Sequence, residues 1–405
     1  MPSGSYILLR QQVGQLFVIG FDGTEMTPAL YALLTQTQPG GVILFTRNIT
    51  SPSQCYALLS QCRSTAQVPL FTCVDLEGGT VDRFRHILAP APSQHDVAST
   101  GRKSLFRAHG EVLGRCARTL GFNVDFAPVS DLGFAASRSV LASRTVSESA
   151  KDTITFVDQF LRGLKASGVL GCGKHYPGLG EANLDSHHSL PVIEKSWKAL
   201  WSQDLLPYRK LGKQLPFVMV AHAAYPSVTN DQVPASLSKK WMTGILRNKI
   251  GYNGLILSDD MEMGGVLAAA PIGEAAVRTL QAGADMLLIC HKEENVRAAY
   301  EAVVHRAETD KKFAKQVAIA AARVLAFKVR SKELKKTAIA PTPKNIARLV
   351  KDLDQLKKQV SKAKRPQAAG ASAVSNSDPS GTGTLVAHET RKQAAKIRVR
   401  VTPSE

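Results

Sequence analysis

ESAKDTITFVDQFLRGLKASGVLGCGKH (residues 148–175) changes its periodicity once. Up to Gly168, apolar residues such as Val157, Phe160, Leu161 and Leu164 recur at intervals of three and four, which is helical spacing. From Val169 the chain is apolar without alternation until Lys174 and His175 interrupt it. An unalternating run suits a strand buried on both faces of a parallel sheet. Working outward, similar runs occur at LFVIGF (16–21), GGVILF (40–45), LFTCVD (70–75), NVDFAPV (123–129), FVMVAH (217–222), LILSDD (255–260) and DMLLIC (285–290). Helix-like stretches such as SPSQCYALLSQCRSTA (51–66) and SLFRAHGEVLGRCARTLG (104–121) lie between them. Eight strand-like runs, each followed by a helix candidate, predict an α/β fold, a (β/α)8 TIM-type barrel. A doubly wound open sheet is the rival, and the regular fall of polar residues at run ends favours the barrel.

In such barrels the active site is built from the C-terminal ends of the strands. Asp75, His175, His222 and Asp259 occupy those ends. One polar residue there can simply cap the next helix. Four from separate strands converge on one mouth.

Of the 405 residues, 44% are hydrophobic and 21% charged, an ordinary globular balance. No apolar run reaches the eighteen or so residues of a membrane span. The N-terminal MPSGSYILLRQQVGQLFVIGFDG lacks the order of a signal peptide, so a cytoplasmic protein is expected. The six cysteines are scattered without a C-x-x-C pair, which argues against a disulfide scaffold or a zinc site.

The net charge of +18 invites a nucleic-acid reading, but it is unevenly placed. Residues 331–405 hold 16 Lys/Arg against 6 Asp/Glu and no Phe, Trp or Tyr, leaving 35 against 27 in residues 1–330. Three segments are expected: a barrel domain over 1–330, a short amphipathic helical extension over 331–365, and a low-complexity basic tail over 366–405, read as disordered. In the extension, Ile346, Leu349, Leu353, Leu356 and Val360 form a stripe of about two heptads, too short for a stable coiled coil. The tail is rich in Ala, Ser and Gly and ends in RKQAAKIRVRV (391–401). Contact of that end with nucleic acid or another polyanion stands against a solvated end without function.

The segment GKHYPGLGEANLDSHHSLP (173–191) is the most informative about chemistry. Its closely spaced glycines and proline exclude helix and strand and imply a shaped loop. Asp185 stands two residues before His187, near enough to favour the imidazolium and raise its pKa. His175, His187 and His188 match no H-E-x-x-H spacing, so no metal is expected. In LILSDD, adjacent strand residues point to opposite sides, so only one of Asp259 and Asp260 can face the pocket. In VDLEGGTVDRF (74–84), Asp75 and Arg83 flank a Gly-Gly turn, as a grip on the hydroxyls of a polar ligand or as a surface ion pair.

KHYPGLGEANLDSH resembles the K-H-F-P-G-x-G-x4-D-S/T-H loop of glycoside hydrolase family 3, in its single-domain β-N-acetylhexosaminidase (NagZ-type) branch. GGVILFTRNI (40–49), DLEGGTVDRF (75–84), NVDFAPVSDL (123–132), MVAHAAYP (219–226) and GLILSDDMEM (254–263) resemble that branch's other blocks, in order. The resemblance spans roughly residues 13–300. It implies that Asp259 is the nucleophile, His187 the general acid/base and Asp185 its partner. It further implies that Asp75, Arg83, Arg144, Lys174 and His175 bind the sugar in the −1 subsite. Leu179 stands where histidine is common, and Thr80 where arginine is common.

The expectation is therefore a retaining exo-acting β-N-acetylhexosaminidase that removes N-acetylglucosamine from peptidoglycan (muropeptide) fragments in cell-wall recycling, as a monomer without cofactor. Retention needs a carboxylate below the sugar ring and a proton donor above it. The alternatives are a β-glycosidase of other specificity, a glycoside phosphorylase on the same scaffold, and a non-catalytic carbohydrate-binding relative.

Overall fold

The computed structural model describes residues 4–182, 184, 189–336 and 339–364. The basic tail over 366–405 lies outside the described residues, as do Asp185 and His187.

All eight apolar runs are strands. β1 (Phe17–Ile19), β2 (Gly41–Ile43), β3 (Phe71–Val74), β6 (Val124–Asp125), β7 (Leu170–Tyr176), β8 (Phe217–Val220), β9 (Leu255–Asp260) and β10 (Met286–Ile289) are parallel. Pairing of β1 with β10 closes them into a barrel. Between β3 and β6 the chain adds a small antiparallel hairpin, β4 (Leu76–Gly78) and β5 (Val81–Asp82), over the mouth. Gly78 (φ 81°) and Gly79 (φ 61°) take its turn, a backbone region that side chains with a Cβ resist.

The strands are buried along nearly their whole length, mostly through hydrophobes such as Val18, Val42, Cys73, Val218 and Leu287. Phe71 and Phe217, the first residues of β3 and β8, meet edge to face at 5.2 Å at the base. Phe327, near the end of the helix Lys311–Arg330, stands 5.6 Å from Phe217 and closes that end. Beside it, the buried Lys328 donates to Gln15 Oε1 (2.7 Å) and lies over the Phe71 ring (5.0 Å).

The helices Lys103–Thr119 and Ala150–Ala166 cross where each has a glycine. A Cβ on Gly110 would stand 2.1 Å from the Phe160 carbonyl oxygen, and one on Gly163 would stand 2.3 Å from that of Arg107. Against Lys103–Thr119 also packs the helix Pro343–Ala363, capped by the Thr342 hydroxyl, which accepts from Asn345 N (3.2 Å). Its Leu349, Leu353, Leu356 and Val360 are buried and Ile346 packs beside them. Arg115 reaches across to Asp352 at 3.0 Å. The extension is thus continuous with the barrel's core, and residues 1–365 form one compact unit. All six cysteines are buried and free, and no described helix is long and apolar enough to cross a membrane.

Candidate active site

The strand ends carry a connected chain of charges. Asp75 follows β3 directly and Glu77 comes two residues later, on the same side of the extended chain. Lys174, near the end of β7, stands 2.8 Å from Asp75 Oδ1 and 2.6 Å from Glu77 Oε1. Arg144 grips Glu77 in a fork, Nε to Oε2 and Nη2 to Oε1, both at 2.9 Å. Such planar bidentate pairs are among the stronger charge-assisted contacts. Arg144 Nη2 also lies 3.4 Å from His175 Nε2. The other ring nitrogen of His175 is 2.7 Å from Asp131 Oδ2. Asp131 further accepts the backbone N–H groups of His175 (3.1 Å) and Leu179 (2.7 Å). At the far end, the hairpin brings Arg83 back to 3.8 Å from Asp75.

Burial disfavours the Glu77 charge, yet Arg144 and Lys174 hold its carboxyl well below the usual carboxylate range. Burial also works against the Lys174 and Arg144 charges, but Asp75 and Glu77 raise the Lys174 ammonium and Glu77 raises Arg144. These groups stay ionised at neutral pH. Asp125 is different: burial pushes it well above the usual range despite the bond that Leu76 N donates to its Oδ1.

β9 supplies the two aspartates. Asp259 is part-exposed, and its Oδ1 accepts from Asp260 N at 2.9 Å. Among the described residues its other oxygen has no hydrogen-bond partner. Burial disfavours its charge, but His175, His222, the Asp260 N–H and Lys174 outweigh burial and keep it below the usual range. Asp260 is spent locally, accepting from Glu262 N (3.1 Å) and Cys290 N (3.2 Å) and standing 3.3 Å from His291 Nε2. His222 is fully buried behind β9, between Ser236 Oγ (2.6 Å) and the Asp260 carbonyl (2.9 Å). Burial depresses its pKa, against the opposing pull of the nearby Asp259 and Asp260.

A family model for the glycosyl hydrolase family 3 N terminal domain matches residues 8–327. The chain belongs to this family. It is 35% identical over 288 residues to a "Beta-hexosaminidase" of Alkalilimnicola ehrlichii, covering 69% of this chain and 82% of that one. With a "Beta-hexosaminidase" of Idiomarina loihiensis it shares 34% identity over 278 residues, 68% of this chain and 83% of that one. Among solved structures, a family 3 β-N-acetylglucosaminidase of Paenibacillus sp. FPU-7 superposes with a TM-score of 0.80 at 29% identity, over 88% of this chain and 68% of that one. NagZ of Neisseria gonorrhoeae, in complex with N-trifluoroacetyl-D-glucosamine, gives 0.70 at 26% identity, over 86% and 98%. The protein is a glycoside hydrolase.

In this family 3 hydrolase, Asp75, Arg83, Arg144, Lys174 and His175 share one network, and Asp259 stands close enough for His175 and Lys174 to act on its charge. His187 and Asp185 lie outside the described residues. Of the described residues nearby in sequence, Lys195 Nζ lies 2.9 Å from Glu181 Oε1 and 2.8 Å from Asp204 Oδ2. Sequence reasoning missed Glu77 and Asp131. Their only signal was an acidic residue just past an apolar run, as at Asp75. Of the two departures, Leu179 is buried in the core and Thr80 is exposed at the hairpin turn. Phe45 forms part of the rim, stacked on His291 at 5.6 Å, with Arg47 and Arg83 over its ring at 4.8 and 5.4 Å. Among the described residues no three His, Cys, Asp or Glu side chains are grouped to hold a metal ion.

Proposed function

We propose that this hydrolase is a retaining exo-β-N-acetylhexosaminidase that removes terminal β-linked N-acetylglucosamine, with peptidoglycan (muropeptide) fragments in cytoplasmic cell-wall recycling as its substrates. The observation that carries the mechanism is Asp259: a carboxylate kept charged on a rigid strand, with one oxygen uncommitted among the described residues. The sugar specificity draws on the relatives, called β-hexosaminidases, and on the N-acylglucosamine bound in the NagZ structure.

In the first step Asp259 attacks the anomeric carbon, the bond to the leaving oxygen breaks, and His187 gives that oxygen a proton. In the second step His187 takes a proton from water, the water oxygen attacks the anomeric carbon, and the Asp259 carboxylate is released. Asp185 favours the protonated imidazole that the first step needs. Asp75, Lys174, Arg144, Arg83 and His175 grip the hydroxyls of the −1 sugar. Because Glu77 and Asp131 already hold several of these groups, little reorganisation is needed when the sugar arrives.

The test compares kcat/KM for aryl β-N-acetylglucosaminide, β-glucoside and β-galactoside. The N-acetylglucosaminide is expected to be the best of the three. An equal or better rate on the plain glucoside would overturn the hexosaminidase reading while leaving a glycoside hydrolase.

A further inference from the structure

The end of the barrel opposite the proposed catalytic mouth is not a plain closed base. Under the N-terminal ends of β7, β8 and β9 lies a cavity of about 920 Å3, within the usual size of small-molecule sites. Its floor is apolar, built from residues such as Leu170, Leu215 and Phe327. Its rim is basic. Arg107 comes from one flanking helix, Arg162 and Lys165 from its neighbour, Lys213 from the loop before β8, and Arg330 from the end of the helix beneath the barrel. Glu333 is the single acidic residue of the lining. Arg162 is paired with Asp158 at 2.9 Å. Among the described residues, Arg107, Lys165, Lys213 and Arg330 form no ion pair, and all four are exposed.

Four unpaired cations around one concavity make a positive local potential that favours an anion. A single carboxylate would leave most of that charge unbalanced. A phosphate or diphosphate ester supplies two or three negative charges and several acceptor oxygens at one point, and Arg and Lys are its usual partners. The apolar floor calls for an apolar body attached to it.

We infer that this basal cavity is a second binding site, separate from the catalytic mouth, for an organic phosphate or diphosphate whose apolar portion lies on the floor beside Phe327. The ligand's phosphate meets Lys165, Lys213, Arg107 and Arg330. The same chemistry belongs to free phosphorylated metabolites and to lipid phosphate headgroups.

The test is calorimetric titration of the full chain with inorganic diphosphate at low ionic strength. Parallel titrations use a Lys165→Gln/Lys213→Gln double variant and, as control for the basic C-terminal region, Lys344→Gln/Lys351→Gln. Loss of two charge-assisted contacts should weaken binding about tenfold or more in the first variant, with little change in the control. In the unaltered chain, diphosphate should also protect Lys165 and Lys213, but not Lys344, from acetylation mapped by mass spectrometry. Tighter binding to vesicles containing phosphatidylglycerol than to diphosphate, lost in the first variant, would identify the lipid source of the same chemistry. Absence of diphosphate binding, equal weakening in both variants, or no protection of Lys165 and Lys213 would overturn the site. Binding of polyuridylate or vesicles that the first variant retains would assign the charge to the tail instead.

Discussion

Asp259 and Asp260 are consecutive in β9, yet Asp260 commits its carboxylate to two backbone N–H groups and His291, while Asp259 keeps one oxygen without a partner among the described residues. Alternation along the strand separates them, and the separation leaves that Asp259 oxygen uncommitted. The hydrogen bond to Asp260 raises the His291 pKa against the opposing effect of burial. Asp260→Asn is therefore expected to retain turnover and to lower the His291 pKa toward its ordinary value, read by NMR titration of the imidazole. An unmoved His291, or turnover lost as fully as in Asp259→Asn, would contradict this division.

Glu77 holds Lys174 and Arg144 together from beneath. Glu77→Gln keeps the shape but removes the charge, leaving the part-buried Arg144 without its carboxylate and the buried Lys174 with Asp75 alone. Breaking such a buried pair costs roughly 3–5 kcal/mol. A lower Tm and a raised KM for the small aryl substrate are expected, since the groups proposed to grip the sugar lose their common anchor. The pH dependence has a definite sign. A carboxyl held below its unfolded value of 4.5 contributes stability above that pH and loses it as the pH falls further. The stability gap between the parent and Glu77→Gln should therefore narrow below about pH 4.5, measured by thermal unfolding.

The barrel was legible because strands buried on both faces need no alternation, and the eight apolar runs are the eight strands. Asp75, Lys174, His175 and Asp259 were legible because they interrupt those runs. Glu77 and Asp131 were not, since each acts only through partners brought from elsewhere: Glu77 through Arg144, and Asp131 through His175. Their local sequence reads as turn. His222 is the converse case, a strand-end histidine that the fold buries behind the site. The stripe on Pro343–Ala363 was visible, but its seat on Lys103–Thr119 was not, because that contact joins segments more than two hundred residues apart.

Lys328 is an expensive residue at the base of the barrel. Burial pushes its ammonium down from 10.5 to about 7. Between those values the unfolded chain holds a proton that the native chain does not, so stability rises with pH across the window, and the full penalty applies below about pH 7. Every tenfold loss of proton affinity on folding corresponds to about 1.4 kcal/mol. Lys328→Met leaves Gln15 Oε1 without this donor, which offsets part of the gain. The Tm of Lys328→Met relative to the parent should be most favourable near pH 6 and become less so toward pH 10. A difference that does not vary with pH would show that Lys328 is not held neutral.

The C-terminal helix divides two truncations. Removal of residues 366–405 is expected to leave Tm and kcat nearly unchanged. Ending the chain at Ser331 removes Leu349, Leu353, Leu356 and Val360, all buried, each worth roughly 1.5–3 kcal/mol on transfer from water. That shorter protein should lose several degrees or more of Tm and bind a hydrophobic dye. Equal stability of the two truncations would mean that the helix contributes nothing to the barrel.

The central claim is that Asp259 forms a covalent glycosyl-enzyme that His187 helps to make and to break. It is tested most directly with His187→Ala and an aryl β-N-acetylglucosaminide, whose leaving group departs with little acid help while water attack still needs a base. Rapid-quench kinetics should show a chromophore burst equal to the enzyme concentration before slow turnover, and peptide mapping by mass spectrometry should find the sugar on Asp259. A folded His187→Ala protein with neither burst nor adduct, or an adduct mapped to Asp260, would contradict the account.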